Sequence, residues 1–197
     1  DRLVPIPLGV NAPREPQPIS LDVAALSPFV LYVGTAERRK GFDTLLAAMA
    51  RAQRDRPDLS LVVTTQLDEW RGSGDGVRIV ELGRVDDDTL AALYRGCTVM
   101  AFPSRYEGFG LPVLEAMSYG APVVASNASS VPEAGGDAAC YVAPGDDAAL
   151  AAAIARIAGD AAYAAELRRR GPLQAATLSW ERTASQTLEV IEGMMSS

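Results

Sequence analysis

The sequence holds 197 residues, 48% hydrophobic and 22% charged, with 18 Lys and Arg against 25 Asp and Glu and no histidine. Length and apolar content suit one domain, or two small ones, and exclude collagen, coiled coil and intrinsic disorder. The missing histidine excludes a Ser-His-Asp triad, a Cys-His pair and an HExxH zinc centre, and the net charge of -7 argues against nucleic-acid or acidic-membrane partners.

Residues 1–28 are aperiodic and carry Pro5, Pro7, Pro13, Pro16, Pro18 and Pro28, which reads as a linker or lead-in ahead of a domain over 29–197. The opening residues lack the cationic start and apolar core of a signal peptide, and no apolar run reaches a membrane span. Residues 29–33 are an apolar run closed by Gly34, predicting a fully buried strand. From Phe42 the spacing of Leu45, Leu46, Met49 and Ala50 predicts a helix to about Arg56, before Pro57. Strands follow at 59–64 and 77–82. Asp86 is placed to cap a helix that turns Leu90, Leu93 and Tyr94 inward.

A fourth strand covers 99–102, a helix 111–119 ends at Gly120, and a fifth strand covers 122–125. The sixth, 140–142, leads to Asp146 and a helix with Leu150, Ile154 and Ile157 inward, closed by Gly159. Two more helices are expected near 161–170 and 180–194. Arg168, Arg169 and Arg170 beside Gly171 then sit at a helix C-terminus, where cations suit the dipole. The spacing of Trp180, Ala184, Leu188 and Ile191 makes a packed face the default for the last helix. Cys97 and Cys140 are too far apart in sequence to suggest a metal site or disulfide framework. Each lies in an apolar stretch and reads as a buried free thiol, implying a reducing compartment. Apolar strands alternating with helices predict a doubly wound, Rossmann-like α/β domain around a parallel sheet. Such sheets bind ligands at the carboxyl ends of their strands, so the loops after Gly34, Leu82, Phe102 and Ala125 are where chemistry is expected.

The loop 34–41 runs from a strand into a helix with Arg39 and Lys40 near its end. A glycine turn, a helix N-terminus and two cations suit a phosphate, although a solvated basic turn explains this loop equally well. It is neither a Walker P-loop nor GxGxxG. In the loop 103–112, Gly108 and Gly110 flank Phe109, and Glu107 and Glu115 are separated by seven residues. Glu115 stands in an apolar stretch, so it either faces a cleft or is buried unfavourably unless paired. Two carboxylates beside close-approaching backbone suit the vicinal hydroxyls of a sugar or ribose.

Glu107 and Glu115 within EGFGLPVLEAMSYGAPVVAS resemble the E-x7-E signature of the family 4 retaining glycosyltransferases of GT-B fold. Residues 32–40 (YVGTAERRK) resemble that family's donor-diphosphate loop, and 6–11 (IPLGVN) its interdomain linker. Leu82-Gly83-Arg84-Val85 and Val131-Pro132-Glu133 fall where further family motifs are expected. The likeness covers nearly the whole chain.

It implies the C-terminal, donor-binding half of a two-domain enzyme, whose N-terminal half carries most of the acceptor site. Glu115 would then hold the ribose, Glu107 the donor sugar, and Val85 and its neighbours the base. Arg39 and Lys40 would hold the diphosphate within the loop of Gly34 and Thr35, helped by amides around Gly110 and Leu111 beside Phe109. Thr35 departs from the Arg that many members carry after the loop glycine, which leaves Arg39 as the second cation. The implied reaction moves a hexose, mannose favoured, from a GDP- or UDP-sugar to a glycan, lipid or small-molecule acceptor with retention. Glu107, Lys40 and Arg39 are the catalytic candidates, Glu107 not as a nucleophile, and no metal or cofactor is implied. The departing phosphate oxygen could take the acceptor's proton, so this half needs no histidine base. The isolated half is expected to be inactive, and the whole enzyme cytoplasmic or peripheral at a membrane through its other half. A non-catalytic nucleotide-sugar-binding module, or another GT-B enzyme such as an epimerase, is the alternative.

Overall fold

Alternate side chains along each central strand enter opposite cores, which is why four strands read as unbroken apolar runs. In β1 (Phe29–Tyr32), Val30 and Tyr32 join one cluster and Phe29 and Leu31 the other. β2 (Ser60–Val63), β4 (Val99–Phe102) and β5 (Val123–Ser126) are likewise buried throughout, while β3 (Ile79–Glu81) and β6 (Cys140–Val142) form the edges. A sheet covered on both faces has no solvent side to mark with polar residues. The computed structural model describes residues 3–70 and 76–195, so the ends of the expected lead-in and domain, 1–2 and 196–197, lie outside the described residues.

All strand pairs are parallel, in the order β3-β2-β1-β4-β5-β6. β1 therefore lies between β2 and β4, with Val30 opposite Val99 and Leu31 opposite Met100. The chain winds outward from β1 to β3, returns beside β1 as β4, and winds the other way, placing the topological switch point between the loops after β1 and β4. α1 (Phe42–Asp55) and α5 (Asp147–Gly159) cover one face, through Leu45, Met49, Leu150 and Ile154. α2 (Asp87–Gly96) and α3 (Leu111–Ser118) cover the other, through Leu93, Tyr94, Val113 and Leu114. Asp86 caps α2 and Asp146 caps α5 as their sequence positions suggest, each accepting a backbone N–H at 2.8 Å.

Residues 131–133, for which no element is expected, begin a short helix, α4 (Val131–Gly135). Other local expectations are corrected. α6 (Ala161–Ala176) does not stop near Arg170 but runs through Gly171 and Pro172. Gly171 lets α6 lie close on α3: a Cβ there would stand 3.2 Å from the Met117 carbonyl oxygen. Packing between the two helices thus outweighs the breaking tendency of Gly-Pro. The arginine triplet consequently sits mid-helix. Arg169 and Arg170 pair with Glu166 on the surface. Arg168 reaches two other helix ends, donating to the carbonyl of Cys97 at 2.7 Å, which caps α2, and to that of Gly120 at 3.1 Å, just past α3. Cys97 is buried, its thiol pushed up to about 12 by burial, whereas Cys140 is only half-buried because β6 is an edge strand.

The lead-in packs closely on the domain. Leu21, Val23 and Leu26 lie against the core, and Val10 donates its N–H to the Leu178 carbonyl at 2.8 Å. Gly9 passes flush over the start of α7 (Trp180–Met195), where a Cβ would stand 2.1 Å from the Trp180 nitrogen. Beyond that first turn α7 departs from its expected packing. None of its residues is buried, and Leu188 and Ile191 are 55% and 48% exposed. Among the described residues no single helix is long and apolar enough to cross a membrane.

Candidate functional site

The loops after β1 and β4 meet at the switch point because their strands are neighbours. Gly34 turns the chain out of β1 with φ +138. The buried Tyr32 hydroxyl then donates to the Thr35 carbonyl at 2.7 Å, and Trp70 Nε1 donates to the Ala36 carbonyl at 2.5 Å. Burial, with the Glu37 and Glu107 carboxylates nearby, raises the Tyr32 pKa and keeps that hydroxyl a donor. Gly41, φ +72, begins α1 and lies so close to the second loop that a Cβ would stand 2.0 Å from the Pro103 carbonyl oxygen.

Arg105 clasps the two loops together. Its N–H donates to the Arg39 carbonyl at 2.9 Å, and its guanidinium to the Arg38 carbonyl and to Asp43 Oδ2, the latter at 2.9 Å. A third loop, after β5, holds the main chain of Glu107 from both sides. The Glu107 N–H donates to Ser129 Oγ at 2.9 Å, and its carbonyl accepts from Ser130 Oγ at 3.1 Å. Ser129 takes a left-handed φ of +46 to do so, a strained conformation for a non-glycine residue.

So held, the Glu107 carboxylate meets the Lys40 ammonium, with Nζ 2.7 Å from Oε1 and 3.0 Å from Oε2. The side chains are 11% and 21% exposed, so water screens this pair less than a surface ion pair. Two residues that the resemblance sends to different parts of a donor are bonded to each other. Arg39 is half exposed, 3.5 Å from Glu37 and from the Tyr106 carbonyl. The loop that reads as a cationic patch is therefore largely charge-matched. Phe109 packs against the core below, and Gly110, φ +103, begins α3. α1 and α3 both begin at a glycine with no side-chain cap, whereas aspartates cap α2, α5 and α6. Uncapped helix N-termini offer backbone N–H groups and positive potential to an anion.

Glu115 lies one turn inside α3, on a cleft of about 220 Å³ that also includes Asn11, Arg14, Tyr94, Leu111 and Trp180. The lead-in forms one wall of it. The Tyr94 hydroxyl, its ring stacked on Tyr119 at 5.8 Å, donates to Glu115 Oε2 at 3.3 Å. Val85 does not reach this cleft; it is half-buried and packed on the core, as is Leu90, which does line it.

Burial raises the Glu115 pKa, with the Asp87 charge adding to the rise and the Tyr94 hydrogen bond opposing it. A carboxyl whose folded pKa is raised binds more protons folded than unfolded, so its contribution to stability falls as pH rises from the ordinary glutamate range through the raised value. Glu115→Gln keeps the Tyr94 acceptor and removes the buried charge. It is expected to raise the melting temperature relative to the parent chain at about pH 7.5 and to lose that advantage near pH 4, where both are neutral. Equal melting differences at the two values would show that the cleft does not penalise the carboxylate.

Lys40, Arg39 and Glu107 thus come together from positions far apart in the chain, with Gly34 and Thr35 on the first loop, Gly110 at the start of α3 and Leu111 on the Glu115 cleft. The pairing partners Tyr32, Tyr94, Arg105, Ser129 and Ser130 escape the sequence reading, although residues 127–130 (NASS) lie in one of the four strand-end loops. The composition of a small polar loop carries no sign of which main-chain group it will bind. Among the described residues no group of three or more Cys, Asp or Glu is placed to hold a metal ion.

The model of the glycosyl transferases group 1 family matches residues 27–160. The chain belongs to this family. It is 38% identical over 171 residues to the O-antigen chain mannosyltransferase B of Escherichia coli, across 81% of this chain and 44% of that one. The sucrose-phosphate synthase of Thermosynechococcus elongatus superposes with a TM-score of 0.80 at 32% identity, covering 97% of this chain and 52% of that structure. HepE of Anabaena, solved with UDP-glucose, superposes at 0.76 and 21% identity over 86% of this chain and 50% of its own, a likeness of fold. The chain spans about half the length of these group 1 relatives and structural neighbours. Its architecture is that of the C-terminal domain of GT-B glycosyltransferases.

Proposed function

We propose that this domain binds the nucleotide sugar for a retaining hexosyltransferase, with a mannosyl donor favoured by the mannosyltransferase relative. The observation that carries the reading is the meeting, at the switch point, of two uncapped helix starts with Lys40, Arg39 and Glu107, one turn of α3 from the Glu115 cleft. HepE, solved with UDP-glucose, supports a nucleotide sugar as the ligand class.

In this reading the diphosphate lies against the starts of α1 and α3, and Lys40 and Arg39 neutralise it. Glu115, on its cleft, accepts hydrogen bonds from the ribose hydroxyls, and Glu107 from the donor sugar. As the bond from the sugar to the phosphate oxygen breaks, its electron pair stays on that oxygen. The cations and helix amides gathered there stabilise the developing charge. The phosphate oxygen accepts the acceptor's proton, and no histidine base is required. Residues 1–28 act as the linker to an N-terminal half that holds the acceptor, a glycan, lipid or small molecule. The two free cysteines fit a reducing compartment such as the cytoplasm.

A thermal-shift panel of UDP-, GDP- and ADP-sugars tests this. A ligand at about 100 times its dissociation constant stabilises by about 2.7 kcal/mol, several degrees for a domain of this size. One nucleotide series is expected to raise the melting temperature by that amount. No shift with any of them, and no heat of binding, would overturn the reading.

A further inference from the structure

We propose that Glu107 also discriminates the intact nucleotide sugar from the bare nucleoside diphosphate, by serving as the internal counter-ion of Lys40. The inference rests on the nucleotide-sugar reading above and adds a selectivity to the same site.

The Glu107 carboxylate takes the Lys40 ammonium through both its oxygens, at 2.7 and 3.0 Å. It is not free to swing away with its backbone, because Ser129 and Ser130 hold the Glu107 N–H and carbonyl. Of the other two cations of the loop, Arg38 is exposed and Arg39 has Glu37 at 3.5 Å. An arriving phosphate therefore meets a cation already matched by a mostly buried carboxylate whose main chain is held.

The two ligands differ in what they bring to that carboxylate. In a nucleotide sugar the terminal phosphate is a diester with one ionised oxygen, and the sugar presents hydroxyl donors. In a nucleoside diphosphate the same phosphate carries about one more negative charge at neutral pH and no donor. The sugar's hydroxyls can satisfy Glu107 when its bonds to Lys40 lengthen, turning a displaced carboxylate into an accepted hydrogen bond. The bare diphosphate sets an unsatisfied carboxylate beside an added charge. Glu107 thus favours the donor and disfavours retention of the diphosphate.

The test is calorimetry of the chain and its Glu107→Gln variant with GDP, GDP-mannose, UDP and UDP-glucose. The substitution removes the charge at nearly constant shape and leaves Lys40 as an uncompensated cation. For the pair of ligands that the parent chain binds, the variant is expected to bind the nucleoside diphosphate about tenfold more tightly and the nucleotide sugar more weakly, the scale of one charge-assisted hydrogen bond gained or lost. Glu107→Ala repeats the comparison if glutamine disturbs the loop, and far-UV circular dichroism verifies that each variant is folded. A loss of binding of similar size for both ligands, or unchanged binding of the diphosphate, would overturn the proposal. Binding of none of these four ligands, nor of ADP or an ADP-sugar, by the parent chain would overturn the nucleotide-sugar reading itself, and this inference with it.

Discussion

Lys40→Ala is expected to weaken nucleotide-sugar binding by about a hundredfold, the loss of a charge-assisted contact together with the exposure of an unmatched carboxylate to an anion. In the ligand-free site the Lys40 ammonium holds Glu107, whose side chain is 11% exposed. With Lys40 removed, that carboxylate stays beside the diphosphate without its partner, because the bonds from Ser129 and Ser130 keep the Glu107 main chain at the site. The diphosphate then loses its cation and gains a repulsive neighbour. Arg38→Ala is the control, since Arg38 is an exposed side chain in the same loop. Calorimetry showing equal affinity for Lys40→Ala and Arg38→Ala would remove Lys40 from the diphosphate site.

The opposite response of Glu107→Gln separates this effect from general damage. Both substitutions break one ion pair, so a purely structural role for that pair predicts similar losses. Electrostatic roles predict weaker binding of the diphosphate when the cation is removed and tighter binding when the anion is neutralised.

Gly41→Ala is expected to have the largest effect on stability among glycine substitutions around the site. The new Cβ would stand 2.0 Å from the Pro103 carbonyl oxygen and 2.7 Å from its carbon, both main-chain atoms of a buried loop, at a residue with φ +72. No rotamer change relieves such a clash, so one of the two loops must move. A left-handed backbone costs an L residue roughly 1–2 kcal/mol by itself. With displacement of the Pro103 loop the total is about 3 kcal/mol or more, a fall in melting temperature of roughly 6–12 °C for a domain of this size. Gly83→Ala supplies the comparison: Gly83 has φ +65, but a Cβ there would meet nothing within 4 Å, so only the backbone penalty applies. Equal melting temperatures for the two variants would show that the contact between the loops is not what makes Gly41 necessary. The same displacement pulls Lys40 away from Glu107, so nucleotide affinity is expected to fall together with stability.

Much of the scaffold was legible in the order of the residues. The apolar runs at β1, β2, β4 and β5 show no alternation because each strand is buried on both faces, and such runs separated by helical spacing leave few architectures. Asp86 and Asp146 announced two helix starts through a local chemistry that the structure repeats. The resemblance around Glu107 and Glu115 pointed to glycosyltransferases, and the match over residues 27–160 places the chain in the group 1 family. Other features were opaque for a physical reason. Gly171 and Pro172 look like a helix end, and only their packing on α3 shows why α6 continues. Arg168 looked like a cap for its own helix, yet it serves the ends of α2 and α3.

What the sequence determined by itself is therefore whatever depends on neighbours a few positions away: which segments are strands and helices, where two helices begin, and which residue types stand in the strand-end loops. The tertiary structure decided that Lys40 and Glu107, 67 positions apart, share a hydrogen bond and that Ser129 and Ser130 hold the Glu107 main chain in place. It also showed that the stripe of Leu188 and Ile191 on α7 is left exposed. The meeting of Lys40 and Glu107 rests on β4 returning beside β1 instead of β3. Strand order is a property of the assembled sheet, set by which apolar faces can be buried together, and no single stretch of sequence carries it. The length and charge at the outset describe an ordinary acidic domain without histidine. In the folded domain the cations near the switch point are few, and Lys40, Arg39 and Arg105 are each paired with a carboxylate.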